Sequence, residues 1–383
     1  MTDRSLDKKR PTLDSHQGGR RSRLGAIMGS TATSSVIVIL AFLLGFFILG
    51  ITGFNPIQAF SAMFRGALGS KRGIAETLLS MTPLILSGLG FALAYHCKLF
   101  NIGLEGQIAV GAIAASWLGY SIEGLPCVVH VTICLVGACL AGAVWGFFPG
   151  FLKARYNIHE VISVIMLNHI AFKVAAYMVS VGGPMKDPTD LMPASPYILT
   201  TAKLPRIWAG TRFNVSIFIA LAMAFVVWVF LYKSRPGYMM RAVGSNPDAA
   251  QTVGISATSF TILAMVLSSA LGGLAGGIEI LGIHHRLLAQ FSPGYGFDAI
   301  AVALLGQLNP IAVVASSFLY GVLRSGAVLM QVTTGVSKDM VSVLTATIIF
   351  FTSMKEPFAR WMKHLFSAIK GHPMIGRSDS HVA

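Results

Sequence analysis

The chain has 383 residues, of which 54% are hydrophobic and only 11% charged, and its mean hydropathy is +0.69. A water-soluble globule carries about a quarter charged residues, so this composition excludes one and points to an integral membrane protein. The formal net charge of +14 lies outside the apolar runs, which makes it a signal for orientation in an anionic membrane and not for nucleic acid.

The runs are built from Leu, Ala, Val, Ile and Gly, without the short alternating segments of a barrel, so the expected fold class is all-α: a polytopic transmembrane helical bundle. Residues 1–30 form a polar, basic tail that the positive-inside rule places in the cytoplasm. The following run lacks a small-residue cleavage site and reads as a retained first span, 31–51. Asn55 and Pro56 break the chain, and 57–75 is too polar to span; it is assigned to the far interface, although Arg65, Lys71 and Arg72 sit there against the charge rule. The second span is 77–95. A polar stretch, HCKLFNIGLEGQ, precedes a short third run at 108–118, which is extended backward through Glu105 and Asn101. Further spans follow at 128–148 and 160–181. A proline-rich connection at 182–213, unsuited to regular helix, is placed outside.

After the sixth span, 215–232, comes the most polar stretch of the interior, RPGYMMRAVGSNPDAAQTVGIS, within a loop at 234–256. Asn246 caps a short helix there, Pro247 suits its first position, Asp248 suits the positive end of its dipole, and Gly254 ends it. Lys233, Arg235 and Arg241 place it on the cytoplasmic side. The remaining runs are 259–283, 297–308, 310–330 and 338–351, before a basic tail at 354–383 that is also cytoplasmic, which makes 31–353 the transmembrane domain. Both termini inside requires an even count, so ten crossings are expected, or eight if the short third and eighth runs are half-membrane segments. Each half of the chain shows a glycine-rich span, a polar break and a short run, the pattern of inverted five-span repeats with broken helices.

Polar groups inside lipid are costly and need partners or a water path. Asn101, Glu105, Gln107, Asn168, His169, Glu279, Asp298 and Arg324 fall in this class. Two readings stand for them: the lining of a solute path, or helix-to-helix glue. His169 reads as glue, and Arg324 as the partner of an acid or an interface residue. A second cluster holds His284, His285, Arg286, Gln290, Phe291, Tyr295 and Asp298; its aromatic and donor groups suit a sugar ring or base, and equally a membrane interface. The paired histidines have no third ligand at a metal spacing. Cys97, Cys127, Cys134 and Cys139 also lack metal spacing and read as small buried apolar residues. No phosphate-cradling loop occurs, and GSKRG at 69–73 does not make one, so energy for transport has to come from an ion gradient or another subunit.

FNIGLEGQIAVGA at 100–112, NIHEVISVIMLNHIA at 157–171, RAVGSNPDAAQTVGIS at 241–256, LAGGIEILGIHHRLL at 274–288, FSPGYGFDAIAVALLG at 291–306 and LRSGAVLMQVTTGVSKDM at 323–340 together resemble the permease subunit of bacterial ATP-binding-cassette importers for nucleosides and simple sugars. These are relatives of the ribose and branched-chain amino acid permeases. The resemblance covers about residues 31–351. It implies an inner-membrane permease with no cofactor of its own and no ATPase site. It further implies a second permease (a heteromer), a cytoplasmic ATPase subunit carrying ATP and Mg, and a periplasmic or lipoprotein substrate-binding protein. The coupling surface would be Arg241, Gly244, Asn246, Pro247, Asp248, Ala249, Ala250 and Gly254. The solute path would use Asn101, Glu105, Gln107, Asn168, Glu279, Phe291 and Asp298. An ion-coupled secondary transporter working through Glu105 and Glu279, and a scaffold or receptor subunit without solute flux, are the competing classes.

Overall fold

The computed structural model describes residues 36, 38–289 and 291–353. Both terminal tails and Gln290 lie outside the described residues, as does the start of the first expected span. The fold is all-α, with helices α1 (Val38–Ile51), α2 (Pro56–Leu68), α3 (Lys71–Tyr95), α4 (Leu104–Ser121), α5 (Cys127–Tyr156), α6 (Glu160–Val179), α7 (Ser216–Lys233), α8 (Arg235–Ser245), α9 (Pro247–Thr252), α10 (Ala257–Glu279), α11 (Tyr295–Leu305), α12 (Pro310–Thr334) and α13 (Asp339–Ser353). α10 runs on into a π-helical turn, Ile280–His284.

Local signals set most of the ends. Asn55 caps α2 by accepting from the N–H groups of Ile57 and Gln58, with Pro56 at the first position. Ser70 does the same for α3 through the Gly73 N–H, so this helix starts six residues before the expected 77 and takes Lys71 and Arg72 into its first turn. α4 reaches back to Leu104 but not to Asn101, leaving an irregular segment between α3 and α4. Residues 182–213 carry no α-helix, only a 3-10 turn at Thr200–Ala202.

Six helices are long and apolar enough to cross a membrane: α3, α5, α6, α7, α10 with its π turn, and α12. This departs from the expected ten crossings, and from eight. α1, α11 and α13 are shorter apolar helices, and α4, carrying Glu105 and Gln107 in its first turn, falls short on composition. The bundle is a polytopic membrane protein on these grounds. α3 and α10 are its interior; α5 and α6 turn most of their surface outward, with Val128, Leu140, Val144 and Ile162 exposed as lipid permits and water does not.

The interior helices meet through small residues. A methyl at Gly273 of α10 would run into the Ala138 carbonyl of α5, and one at Gly276 into the Ile108 carbonyl of α4. Where lipid supplies no hydrophobic drive between helices, such close backbone contact is what holds them. At the end of the bundle where α7 begins, the 182–215 connection is sewn across it. The N–H of Leu199 donates to Gly119 O of α4, that of Leu204 to Leu281 O and that of Ile198 to His285 O, while His130 of α5 bonds Thr201. Asp190 pairs with Arg286 at 2.6 Å, and Arg212 grips Glu76 of α3 with two bonds.

Candidate functional site

After α3 the chain turns at Cys97 and Lys98 and rises unwound to α4. Asn101 holds this segment: its Oδ1 accepts from the Gly103 N–H, its Nδ2 donates to Ser268 Oγ of α10 at 2.8 Å, and it exchanges amide bonds with Gln107 at 3.2 Å. Gly103 offers α4 no side-chain cap. Asn168 of α6 supplies what is missing, accepting from the Gly106 N–H at 2.9 Å and donating to Ile102 O at 3.0 Å. Without water nearby, helix-end N–H groups need such partners.

α11 begins beside α4. Its cap, Gly294, has φ +92°, a left-handed conformation that glycine adopts freely. Gly296 lies so close to α4 that a methyl there would collide with the Glu105 backbone. The Gly296 N–H donates to Glu105 Oε2, so one carboxylate from the first turn of α4 lies at the positive ends of two helices. Asp298 accepts from Arg324 Nε at 2.7 Å, Arg324 also donates to Pro293 O, and its guanidinium lies over the Tyr295 ring at 4.5 Å. The expected acid partner of Arg324 is therefore Asp298. Glu279 is buried next to the π turn, with Oε2 3.3 Å from His284 Nε2 and Oε1 without a partner. His284 meets Phe291 edge-on, 5.9 Å between ring centres. His285 is held below the ordinary 6.5 by burial, then by the charges of Lys203 and Arg206. No group of three or more metal-ligating side chains occurs among the described residues.

A cavity of about 680 Å³ opens where α4, α6 and the loop before α11 meet, lined by Glu105, His169, Phe172, Lys173, Phe291 and Phe297 among others. Of the residues expected on a solute path, Glu105 and Phe291 stand on this wall. Asn101, Gln107 and Asn168 do not line it and are joined to backbone, to Ser268 or to each other, and Asp298 and Glu279, also off its wall, pair with Arg324 and His284. His169 corrects an expectation: it is exposed on α6, facing the cavity, and does not glue helices. The sequence carried a signal for this, since His169 and Lys173 are four apart on the one face of α6 that also exposes Ile162, Met166 and Tyr177. A second cleft, about 780 Å³, lies between α2, α3 and α12, with Arg65, Arg72, Arg212 and Arg324 around Glu76. It gathers Arg65 and Arg72, two of the three cations that ran against the charge rule; Lys71 instead lies over the Trp208 ring at 6.0 Å. Cys127 is exposed, unlike the other three thiols, because it opens α5 at the surface.

The polar mid-chain stretch is two helices and not one. α8 precedes the expected capped turn, started by Ser234 Oγ accepting from the Gly237 N–H. α9 is the capped helix: Asn246 Oδ1 accepts from the N–H groups of Asp248 and Ala249, both at 3.0 Å, and Gly254 ends it at φ +83°. Ala250 is buried, whereas Val253 is 73% exposed and Tyr238 63% exposed, an apolar display on a polar loop. α8 touches the segment below α4. Gly244 packs on the His96 backbone, Cys97 Sγ donates to Met240 O, and Arg241 lies over the Tyr232 ring at 5.2 Å. Burial, opposed by the bond to Ala92 O and reinforced by the charges of Arg241 and Lys98, holds His96 below the ordinary imidazole value. α8 therefore stands between α9 and residues 96–97, next to the unwound segment before α4.

The family described as branched-chain amino acid transport system / permease component matches residues 73–353. The chain is 38% identical to the guanosine ABC transporter permease protein NupP of Bacillus subtilis, over 83% of this chain and 91% of that protein. It is 35% identical to the nucleoside ABC transporter permease protein NupB of Lactococcus lactis subsp. cremoris, over 84% of this chain and 90% of the other. To the glucose ABC transporter permease protein TsgB13 of Haloferax volcanii it is 33% identical, over 80% and 83% respectively.

Proposed function

Because the chain belongs to the family of branched-chain amino acid transport system permease components, we propose that it is the subunit through which an ATP-driven importer passes nucleosides or simple sugars into the cytoplasm. The observation that carries the solute class is the cavity wall at the junction of α4 and α11, where three phenylalanine faces and two donor side chains stand together. A volume of about 680 Å³ lies within the roughly 300–1,000 Å³ of small-molecule sites, and an apolar wall with few polar groups suits a flat or ring-shaped polar solute. The similarity to permeases named for guanosine, nucleosides and glucose points the same way.

In this reading Glu105 and Phe291 touch the solute path, and Asn101, Gln107, Asn168, Glu279 and Asp298 hold the frame around it. The chain crosses a bacterial inner membrane ten times with both termini in the cytoplasm, as two inverted five-span halves. This is supported by α4 and α11, short helices that each follow a glycine-rich helix and a non-helical break and that meet N-terminus to N-terminus. The surface at Arg241, Gly244, Asn246, Pro247, Asp248, Ala249, Ala250 and Gly254 docks on an ATPase subunit that carries ATP and Mg. A second, different permease completes the path, and a periplasmic or lipoprotein binding protein delivers solute. ATP binding moves α9, and the link through α8 to residues 96–101 swings the start of α4. ATP can bias the inward and outward states only by favouring one of them.

The test is a reconstituted importer carrying Val253→Asp. Val253 is exposed beside α9, so a charge there weakens recovery of the ATPase with the permease and removes solute-stimulated hydrolysis. Full ATPase recovery together with normal stimulation would remove α9 from the coupling role.

A further inference from the structure

α6 carries two basic side chains, the first of them at a depth where lipid does not accept it. His169 lies nine residues from Glu160 and ten from Val179, so it is roughly 14–15 Å from both ends of the helix at 1.5 Å per residue. An imidazole has no long stem with which to reach an interface from that depth. Lys173, one turn further on, shares the exposed face, and no carboxylate pairs with it among the described residues. Ionisable groups at such depth face a bundle interior or a water-filled cavity. Here both line the same cavity as Phe172, Phe291 and Phe297. The acid on that wall, Glu105, accepts from the Gly296 N–H at the start of α11 and forms no ion pair with either of them among the described residues.

The chemistry of the wall is specific. Three phenylalanine rings line it, and stacking on an aromatic ring is worth about 1–3 kcal/mol per base for any base. An ammonium group only donates. Of the purines, guanine and hypoxanthine present two adjacent acceptors, O6 and N7, to such a group, whereas adenine presents N7 next to an amino donor that an ammonium repels. We infer that Lys173, assisted by His169, forms a donor edge on the solute path that favours 6-oxopurine nucleosides over adenine nucleosides. This deepens the nucleoside reading and rests on it. Phe291 and Phe297 hold the ring, Lys173 reads its acceptor edge, and discrimination arises within the permease in addition to any made by the delivering protein.

The experiment uses the complete importer in proteoliposomes, with the same binding protein throughout, and measures ATP-dependent uptake of labelled guanosine, adenosine and 7-deazaguanosine, which lacks the N7 acceptor. Lys173→Met is expected to lower the guanosine-to-adenosine uptake ratio about ten-fold, the size of one lost paired contact. Lys173→Arg is expected to keep it, and His169→Gln to lower it less. Wild type is expected to take up guanosine faster than 7-deazaguanosine, and this comparison needs no variant to fold. A Lys173→Met complex that slows both nucleosides by one factor, or neither, overturns the inference, as does equal wild-type uptake of guanosine and 7-deazaguanosine. If the wild-type complex moves no nucleoside at all, the nucleoside reading itself fails, and that result appears before any variant is compared.

Discussion

Replacing Asn168 by alanine should destabilise the bundle without any solute present. The side chain is buried and makes two bonds, from the Gly106 N–H and to the Ile102 carbonyl. Alanine removes both and leaves a donor and an acceptor stranded among apolar groups, since Gly103 provides no alternative cap for α4. A stranded buried group costs roughly 1–3 kcal/mol, so two give about 2–6 kcal/mol. Polar contacts measured between membrane helices average only about 0.6 kcal/mol, because the unfolded chain also finds partners in lipid. The lower end, about 2–3 kcal/mol, is therefore expected. Unfolding of the purified chain in mixed micelles by added sodium dodecyl sulfate reads it directly, with Ile162→Ala on the exposed face of α6 as a comparison expected within about 0.5 kcal/mol of wild type. If Asn168→Ala unfolds with the wild-type midpoint, the start of α4 is not held by this amide, and the division between frame and path residues falls.

Gly273→Ala drives a methyl into the Ala138 carbonyl and should cost about 1–3 kcal/mol or prevent insertion, whereas Gly50→Ala, with open space around it, should leave the folded yield unchanged. With Cys127 replaced, single cysteines at Ala249 and Leu191 should react with an impermeant maleimide from opposite faces of sealed vesicles; labelling of both from one face would invalidate the ten-crossing topology. The Met192 N–H, then Arg286, hold Asp190 below its ordinary 3.8, so the strap it anchors gains stability above that value and loses it as pH falls through the lower folded one. Proteolysis of the 182–215 connection should therefore be flat from about pH 8 to pH 5 and rise only below about pH 4, and a rise already at about pH 6 would assign the strap to other groups.

The helical runs were legible because hydropathy marks them, and the cap at Asn246 was legible because a short polar side chain before proline marks a helix start; Asn55, read as a chain break, caps α2 in the same way. The start of α3 was not, since Lys71 and Arg72 read as the end of an interfacial stretch while the Ser70 cap binds them into the helix. α8 was hidden for a related reason: Pro236 and Gly237 look like a turn, yet proline is at home in a first helical turn. The polar residues of the bundle could be named from their cost in lipid, but their sorting could not. Asn168 and His169 are neighbours in sequence, and only the rotation of α6 turns one toward α4 and the other toward the cavity. The meeting of Glu105 with Gly296 joins positions 191 apart, which no local pattern reveals.

The stitching by the 182–215 connection has a mechanical result. Through residues 182–215, the far ends of α3, α4, α5 and α10 are fastened to a single span of backbone, by Arg212, Leu199, Thr201 and Leu204 in turn. Four helices fastened at one end behave as a plate, able to tilt but not to spread like fingers. Any opening at this end would have to form along the seam between that plate and whatever stands opposite it, with the helices inside the plate keeping their spacing.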